Sequence, residues 1–410
     1  MSEIKPERQN PMKFLFKPLF FIFSLLTSTF IVLYVEKLRP SDLQPFEGLF
    51  SKEDIIVKSA NYPVKSPTGN LTEEEMNYAR IAWKYFENNY DASTGLMNGK
   101  DKCPMFTFKD LTSYLMGMLS AYEIGVIDSL EVASRMSKLM ITLEKMELYE
   151  DKLPNNQYHT VSVQMLDGEG NVSPYGSGWS PIDIGRFFSF VNKIKIDYPQ
   201  YGLRLRQVLK RWKMEEMVKN GMLEGMVYIN QEESFRMSQV GRLGYEEYCG
   251  KGLFKAGFDV TQALLYTDFI KFVDIYGYKI GVDTRESRNL FSHNYVLSDP
   301  YYLDGLEYGW DINSRELAFR VFMVQKERYL KTGILTATGE DYTDDSAGSV
   351  YNSIYADFNT WVCYDEKGRK RNDLKMLSTK TAFAWYVLYE DDYVNLLFNE
   401  VKDLYNSKRG

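Results

Sequence analysis

Acid–base chemistry in this chain rests on carboxylates, because the alternatives are scarce. The 410 residues hold two histidines, His159 and His293, and three cysteines, Cys103, Cys249 and Cys363. No Cys-x-x-Cys pair and no His-Glu-x-x-His string occurs, so neither a structural zinc site nor a zinc hydrolase is expected, and the sequence calls for no metal and no cofactor. A Ser-His-Asp triad would need one of the two histidines, and no Gly-x-Ser-x-Gly elbow accompanies them. Three widely spaced cysteines make no disulfide framework. Paired carboxyl groups remain. One that keeps its proton and one that loses it are what hydrolysis of an acetal such as a glycosidic bond requires.

Several acids sit where such a contrast could arise. Asp110 follows Thr107 by three residues, and Asp183 follows Ser180-Pro181-Ile182. Both have the spacing of a first-turn helix acid, where the helix amino end favours the ionised carboxylate. A cap or a catalytic base is compatible with that placement. Arg186, one turn beyond Asp183, could pair with it or reach a substrate hydroxyl. Glu246 and Glu247 lie between Tyr245 and Tyr248. Apolar crowding raises a carboxyl pKa, which suits a general acid. Neighbours on a helix are roughly 100° apart, so one of the two can point inward. Glu247 is the first choice, and capping or pairing with Arg242 and Lys251 is the alternative. Asp304 and Glu307 are three apart and share a helix face. Glu340-Asp341 is a weaker candidate in a loop after Gly333.

Aromatic residues are abundant, with 31 Tyr, 25 Phe and 6 Trp. Many must be core, but Tyr and Trp also stack flat, half-apolar ligands such as sugars and hydrogen-bond them. Trp179, Tyr245, Tyr248, Tyr301, Tyr302, Tyr308 and Trp310 are the stacking candidates. His293-Asn294, between a polar loop and an apolar run, could contact a sugar hydroxyl. Asp167-Gly-Glu169-Gly-Asn171 hints at a calcium loop but lacks its sixth-position Gly and twelfth-position Glu.

The elements that must position these residues are mostly helical. Thr72 to Glu75 is a capping box, followed by an apolar stripe of Met76, Ala79, Trp83, Phe86 and Tyr90. Further helices are expected from Thr107, from Asp128 past Met146, from Ser180 to about Lys195, and from Tyr201 to about Asn220. Others are expected near 245–256, 260–276, 301–309, 313–331 and 379–406. Residues 150–178 read as a long polar loop and 225–237 as a short hairpin. Helix pairs over residues 71–410, without a fixed repeat, predict a mainly all-α domain of α/α toroid type with long loops. An α-solenoid would show a period.

The amino terminus differs. Leu19 to Val35 is free of charge, extended by Phe14 to Phe16, and about long enough to cross a bilayer. Lys5, Arg8, Lys13 and Lys17 precede it, which keeps residues 1–13 cytoplasmic. Residues 14–35 are therefore expected to be an inner-membrane transmembrane anchor, with a cleaved signal peptide as the alternative, and residues 36–70 a linker. The body would then be periplasmic or extracellular. The net charge is −7 overall and +3 over residues 1–40, so the remaining 370 residues carry −10. An acidic body excludes nucleic acid as its main partner.

Longer strings are specific. LTEEEMNYARIAWKYFENNYDASTGLMN, FKDLTSYLMGMLSAYEIGVID, GWSPIDIGR, VGRLGYEEYCGKGLFKAGFDV, HNYVLSDPYYLDGLEYGWD, RYLKTGILTATGED and LSTKTAFAWYVLY follow one another over about residues 71–395. In this order the chain resembles a bacterial glucoamylase-like domain family of unassigned function. More distantly, through Asp110 and the Tyr245–Tyr248 string, it is similar to β-1,2-glucan-active glycoside hydrolases and transglycosylases. The resemblance implies an (α/α)6 toroid whose partner is an oligo- or polysaccharide. Glu247 would be the acid and Asp110 the ionised partner. A glycan-binding export accessory, a polysaccharide lyase using His293 or His159 with Arg, and a scaffold with a degenerate site are the other readings.

Overall fold

The computed structural model describes residues 54–57, 62–65, 69–229, 234–285, 294–343 and 348–410. The expected cytoplasmic tail, the transmembrane segment 14–35, most of the linker, and His293 lie outside these residues. Among the described residues no helix is long and apolar enough to cross a membrane.

Among the described residues ten α-helices dominate: α1 (Glu73–Asn89), α2 (Phe108–Glu123), α3 (Ser129–Lys145), α4 (Pro181–Asp197), α5 (Gly202–Leu209), α6 (Tyr245–Ala256), α7 (Asp299–Tyr308), α8 (Ile312–Thr332), α9 (Thr379–Leu388) and α10 (Asp392–Val401). Their starts follow from local chemistry. Thr72 accepts from the Glu75 amide while Glu75 accepts from the Thr72 amide at 2.7 Å, and Thr107 and Asp110 repeat the arrangement on α2. Ser180 caps α4, whose first residue is Pro181.

Small sheets interrupt the helices. β1 (Met105–Thr107) pairs with β2 (Gln157–His159). β3 (Gly178–Trp179), β4 (Val218–Lys219) and β6 (Ser234–Gln239) pair antiparallel with β5 (Met222–Ile229). β7 (Ile270–Ile275) pairs with β8 (Tyr278–Asp283), and β10 (Ser349–Ala356) lies between β9 (Glu340–Tyr342) and β11 (Asn359–Asp365).

Three expectations about elements need correction. Residues 260–276 are not a helix. They form a turn at Tyr266–Asp268 and then β7, because Tyr276 and Gly277 both take positive φ and make the two-residue turn of a tight hairpin. The helix after Tyr201 stops at Leu209 rather than Asn220, and a 3₁₀ turn at Met214–Glu216 leads into β4. The 379–406 helix is two, because Asp391 caps a fresh start at Asp392. The loop 150–178 carries β2 and the first residue of β3, and the 225–237 hairpin starts earlier, at Met222, and ends later, at Gln239.

Packing places helices in sequence. α2 packs on α4, α4 on α6, α6 on α7, and α7 on α9, while α1 and α3 lie against α2, α5 against α3 and α4, α8 against α7 and α10 against α9. One apolar cluster joins the α1–α6 half through Phe108, Leu115, Phe187 and Trp212. Another joins the α7–α10 half through Tyr302, Phe322, Trp385 and Tyr389. Cys103, Cys249 and Cys363 are unbridged. The α4–α6 contact leaves no room for an added side chain. A Cβ on Gly252 would lie 2.5 Å from the Gly185 carbonyl oxygen and 2.9 Å from the Tyr308 hydroxyl. Gly252→Ala is therefore expected to destabilise the protein by about 1–3 kcal/mol in urea unfolding, through overpacking against backbone that cannot yield. An unchanged midpoint would show that the two helices can part at no cost.

Candidate active site

The first turns of α2, α4, α6, α7 and α9 meet around Glu340, the first residue of β9. Lys109, second in α2, pairs with Glu340 at 2.5 Å. The Tyr245 hydroxyl, from the first residue of α6, donates to the same carboxylate at 3.3 Å. The Glu340 amide donates to Asp299, first in α7, at 3.0 Å. Asp299 also accepts from the Tyr302 hydroxyl and pairs with Lys380, second in α9, at 2.7 Å. Asp183, third in α4, lies within electrostatic reach of Lys109, Asp110 and Glu340. Five helix amino ends, each favouring negative charge, thus face a set of carboxyls and two lysines. Lys109 and Glu340 keep solvent-reaching faces, with side chains 30% and 18% exposed.

The carboxyls are not equivalent. Burial, with Asp110 and Glu340 nearby, raises Asp183 to about 6, against the opposing pull of Lys109 and its hydrogen bond with Ser180. Glu340 goes the other way. Its burial alone would raise it, but Lys109, Lys380 and the hydrogen bonds from Lys109 and Tyr245 outweigh that and hold it below the ordinary glutamate value. One carboxyl keeps its proton into mildly acidic pH and its neighbour does not. Burial, Asp299 and Glu340 push the Tyr245 phenol well up, so it stays a neutral donor.

Of the residues singled out in the sequence, Asp110, Asp183, Tyr245, Tyr302 and Glu340 belong to this cluster. Asp110 accepts from the Thr107 amide and hydroxyl at 3.0 and 2.8 Å. Glu247 lies elsewhere on α6, roughly 200° round the helix from Tyr245. Its carboxylate accepts from the Gly244 amide at 2.6 Å, and Tyr266 and Tyr301 lie beside it. Glu246 pairs with Arg285 at 2.5 Å and accepts from Gln239 at 2.9 Å. Asp110 and Glu247 share no partner among the described residues.

The remaining residues make internal contacts. Arg186 donates to Tyr248, Ser113, the Lys109 carbonyl and Glu307 at 2.7–3.1 Å, and the Tyr248 hydroxyl donates to Glu307. Asp304 pairs with Lys251, and Asn294 bridges Arg242 to the Asp283 and Arg285 carbonyls. Trp179 is 1% exposed, with its Nε1 on the Glu224 carbonyl, and Trp310 lies on the Tyr389 ring with its Nε1 on the Tyr301 carbonyl. Tyr301 is buried, and Tyr308 packs on Tyr248. The stacking role expected of Trp179 is thus replaced by a core role, because β3 carries its ring inward. Asp167 accepts from the Glu169 and Asn171 amides of its own loop. No group of three or more metal-ligating side chains converges among the described residues.

Lys109, Asp299 and Lys380 escaped sequence reasoning, although a signal was present. Ser298-Asp299-Pro300 and Ser378-Thr379-Lys380 are helix starts like the one at Ser180. Applying the first-turn rule to every helix start would have found them.

Burial of Glu247 makes its own prediction. Burial and Glu246 raise it to about 8, so the native state holds a proton that the unfolded chain releases near its ordinary value of 4.5. Stability therefore falls as pH rises from about 4.5 towards 8. Glu247→Gln keeps an acceptor for the Gly244 amide and removes that decline. By pH 8 it should gain on the order of 4 kcal/mol over the parent, with no gain at pH 4. Parallel urea-unfolding curves at both pH values would show that Glu247 titrates normally.

The sequence profile described as "Protein of unknown function (DUF3131)" matches residues 77–410. The chain belongs to the DUF3131 family. No curated protein matches it by sequence. Solved structures share the fold of this DUF3131 protein at low identity. A candidate glucoamylase from Bacteroides fragilis is 12% identical, with TM-score 0.51 over 83% of this chain and 84% of its own. An endo-β-1,2-glucanase from Chitinophaga pinensis, in complex with sophorotriose and glucose, is 10% identical, with TM-score 0.52 over 81% and 83%. A candidate glucoamylase from Bacteroides uniformis is 10% identical, with TM-score 0.52 over 83% and 85%. Family and fold agree with the glucoamylase-like resemblance drawn from the sequence strings. The DUF3131 chain is mainly helical with small sheets, as those folds are.

Proposed function

We propose that this DUF3131 protein is a carbohydrate-active enzyme that cleaves or transfers glycosidic bonds at the cluster of helix starts around Glu340. The body would be an (α/α)6 toroid, held outside the cytoplasm by the apolar segment 14–35. Asp183 would donate a proton to the leaving oxygen. Glu340, or Asp110 beside it, would be the ionised partner that stabilises the positive charge developing on the sugar ring. Lys109 fixes the position of Glu340, and Tyr245 is a neutral donor at the same carboxylate.

The observation that carries this reading is the contrast between Asp183 and Glu340. Both lie in reach of one lysine, and their environments push their protons in opposite directions. It is supported by the fold shared with an endo-β-1,2-glucanase, and it moves the proton donor from Glu247, the first choice on sequence grounds, to Asp183. A lyase is less well supported. The cations at the cluster, among the described residues, are Lys109 and Lys380, while Arg186 is committed to Glu307 and His159 lies against Ser162.

The test is a screen of the purified protein on β-1,2-glucan, other β-glucans, mannans and bacterial exopolysaccharides, following new reducing ends. Cleavage of at least one by the parent, lost in Asp183→Asn, is the expected result. Binding without cleavage on every glycan bound would replace the enzyme by a glycan-binding module.

A further inference from the structure

A hollow of about 220 Å³ lies outside the carboxyl cluster, lined by residues that include Glu147, Tyr149, Asp151, Pro174, Tyr175 and Phe235. None of the carboxyls around Glu340 lines it. Its inner wall is aromatic. The Tyr149 ring meets Phe235 at 5.0 Å between centroids and Trp179 edge-on at 5.7 Å. Tyr175 stands at the wall with 76% of its surface exposed. An aromatic face beside carboxylates is the chemistry that holds a pyranose. The ring's C–H face lies on the aromatic, and its hydroxyl edge donates to the acids.

Two strands run from this hollow to the starts of α4 and α6. Trp179, packed on Tyr149, ends β3 and is followed by Ser180, the cap of α4, three residues before Asp183. Phe235 lies in β6, and Gln239 at the end of that strand donates to Glu246 in the first turn of α6 at 2.9 Å. Four residues of strand span roughly 13 Å. The hollow is therefore a few sugar residues from the starts of α4 and α6, on the sheet that fastens both.

We propose that this hollow is a distal subsite, binding one neutral sugar unit of a longer glycan chain whose scissile bond lies at Asp183. This inference rests on the glycan reading of the carboxyl cluster and adds to it a preference for polymer over short oligosaccharide. Tyr175, exposed and on a loop, is the residue whose removal reports on the hollow with least effect on folding.

Calorimetric titration of the full chain with sophorotriose and with longer β-1,2-gluco-oligosaccharides tests it, using Asp183→Asn as a common background that prevents cleavage. The longer chains should bind more tightly. Tyr175→Ala and Phe235→Ala should weaken them about three- to tenfold while leaving sophorotriose unchanged. Equal loss for short and long ligands, or no loss from either variant, overturns the subsite and leaves the cluster reading intact. Binding of neither probe by the background protein overturns β-1,2-glucan as the ligand and the subsite with it.

Discussion

Asp183→Asn should lower turnover by about two to four orders of magnitude and, at neutral pH, make the protein more stable. The rate loss is what removal of a positioned general acid costs. The stability gain follows from linkage. Asp183 titrates at about 6 in the folded protein, against an ordinary value of 3.8, because burial, Asp110 and Glu340 disfavour its charge. Between those two pH values the native state binds the extra proton. Stability is therefore highest below about 4 and falls as pH rises towards 6. A shift of that size corresponds to about 2–3 kcal/mol once ionisation is complete, less what solvent screens. Asn carries no charge to bury, so the variant escapes the decline. The same value fixes the pH–rate profile. As donor, Asp183 must be protonated, so kcat/KM of the parent should fall about tenfold per unit above pH 6. Loss of activity together with gain of stability marks a group held in an unfavourable state for its task, and a structural acid would not produce it. A variant that keeps the parent rate on any glycan the parent cleaves removes Asp183 from the chemistry. One that unfolds at lower urea at pH 7 removes the electrostatic account.

What could be read in the sequence follows from what is local. Thr72, Thr107, Asp128 and Ser180 announce helix starts because a cap is decided within three residues, and all four cap as expected. The β7–β8 hairpin was missed because Ile270–Ile275 is apolar enough to fit either period. Only the paired positive φ at Tyr276 and Gly277 decides it. At the site, crowding by Tyr245 and Tyr248 signalled a raised carboxyl at Glu247, and its burial does raise it. Which way the helix turns that carboxyl depends on α7 and the loop at Tyr266, both distant in sequence. Glu340 shows the same limit. Lys109, Tyr245 and Asp299 all meet it, from 231, 95 and 41 residues away. No spacing rule reaches that far, whereas the first-turn position of Asp183 could be read from Ser180 alone.

Arg186→Met should destabilise the fold by about 3–5 kcal/mol, the largest single loss expected here. Arg186 is buried in α4, and its guanidinium joins α2 through the Lys109 carbonyl and Ser113, α6 through Tyr248, and α7 through Glu307 at 3.1 Å. Removing it leaves the Glu307 carboxylate, itself 7% exposed, with the Tyr248 hydroxyl as its remaining hydrogen-bond donor among the described residues. The cost is that of a stranded charge rather than of a lost contact. Two comparisons isolate it. Arg186→Lys should recover little, because an ammonium on a flexible stem cannot serve acceptors on three helices at once. Adding Glu307→Leu to Arg186→Met should recover most of the loss, because it removes the unpaired acid. Urea unfolding of the three variants measures all of this, and a double variant no more stable than Arg186→Met would show that shape, not charge, holds the helices together. The same contacts tie stability to the site. Arg186 fixes the Lys109 carbonyl, and Lys109 fixes Glu340. The Arg186→Met/Glu307→Leu protein, though refolded, should therefore let Lys109 drift from Glu340. Glu340 would then titrate closer to its buried, unpaired value, and the acid limb of the pH–rate profile would move upward as the ionised partner is lost at higher pH.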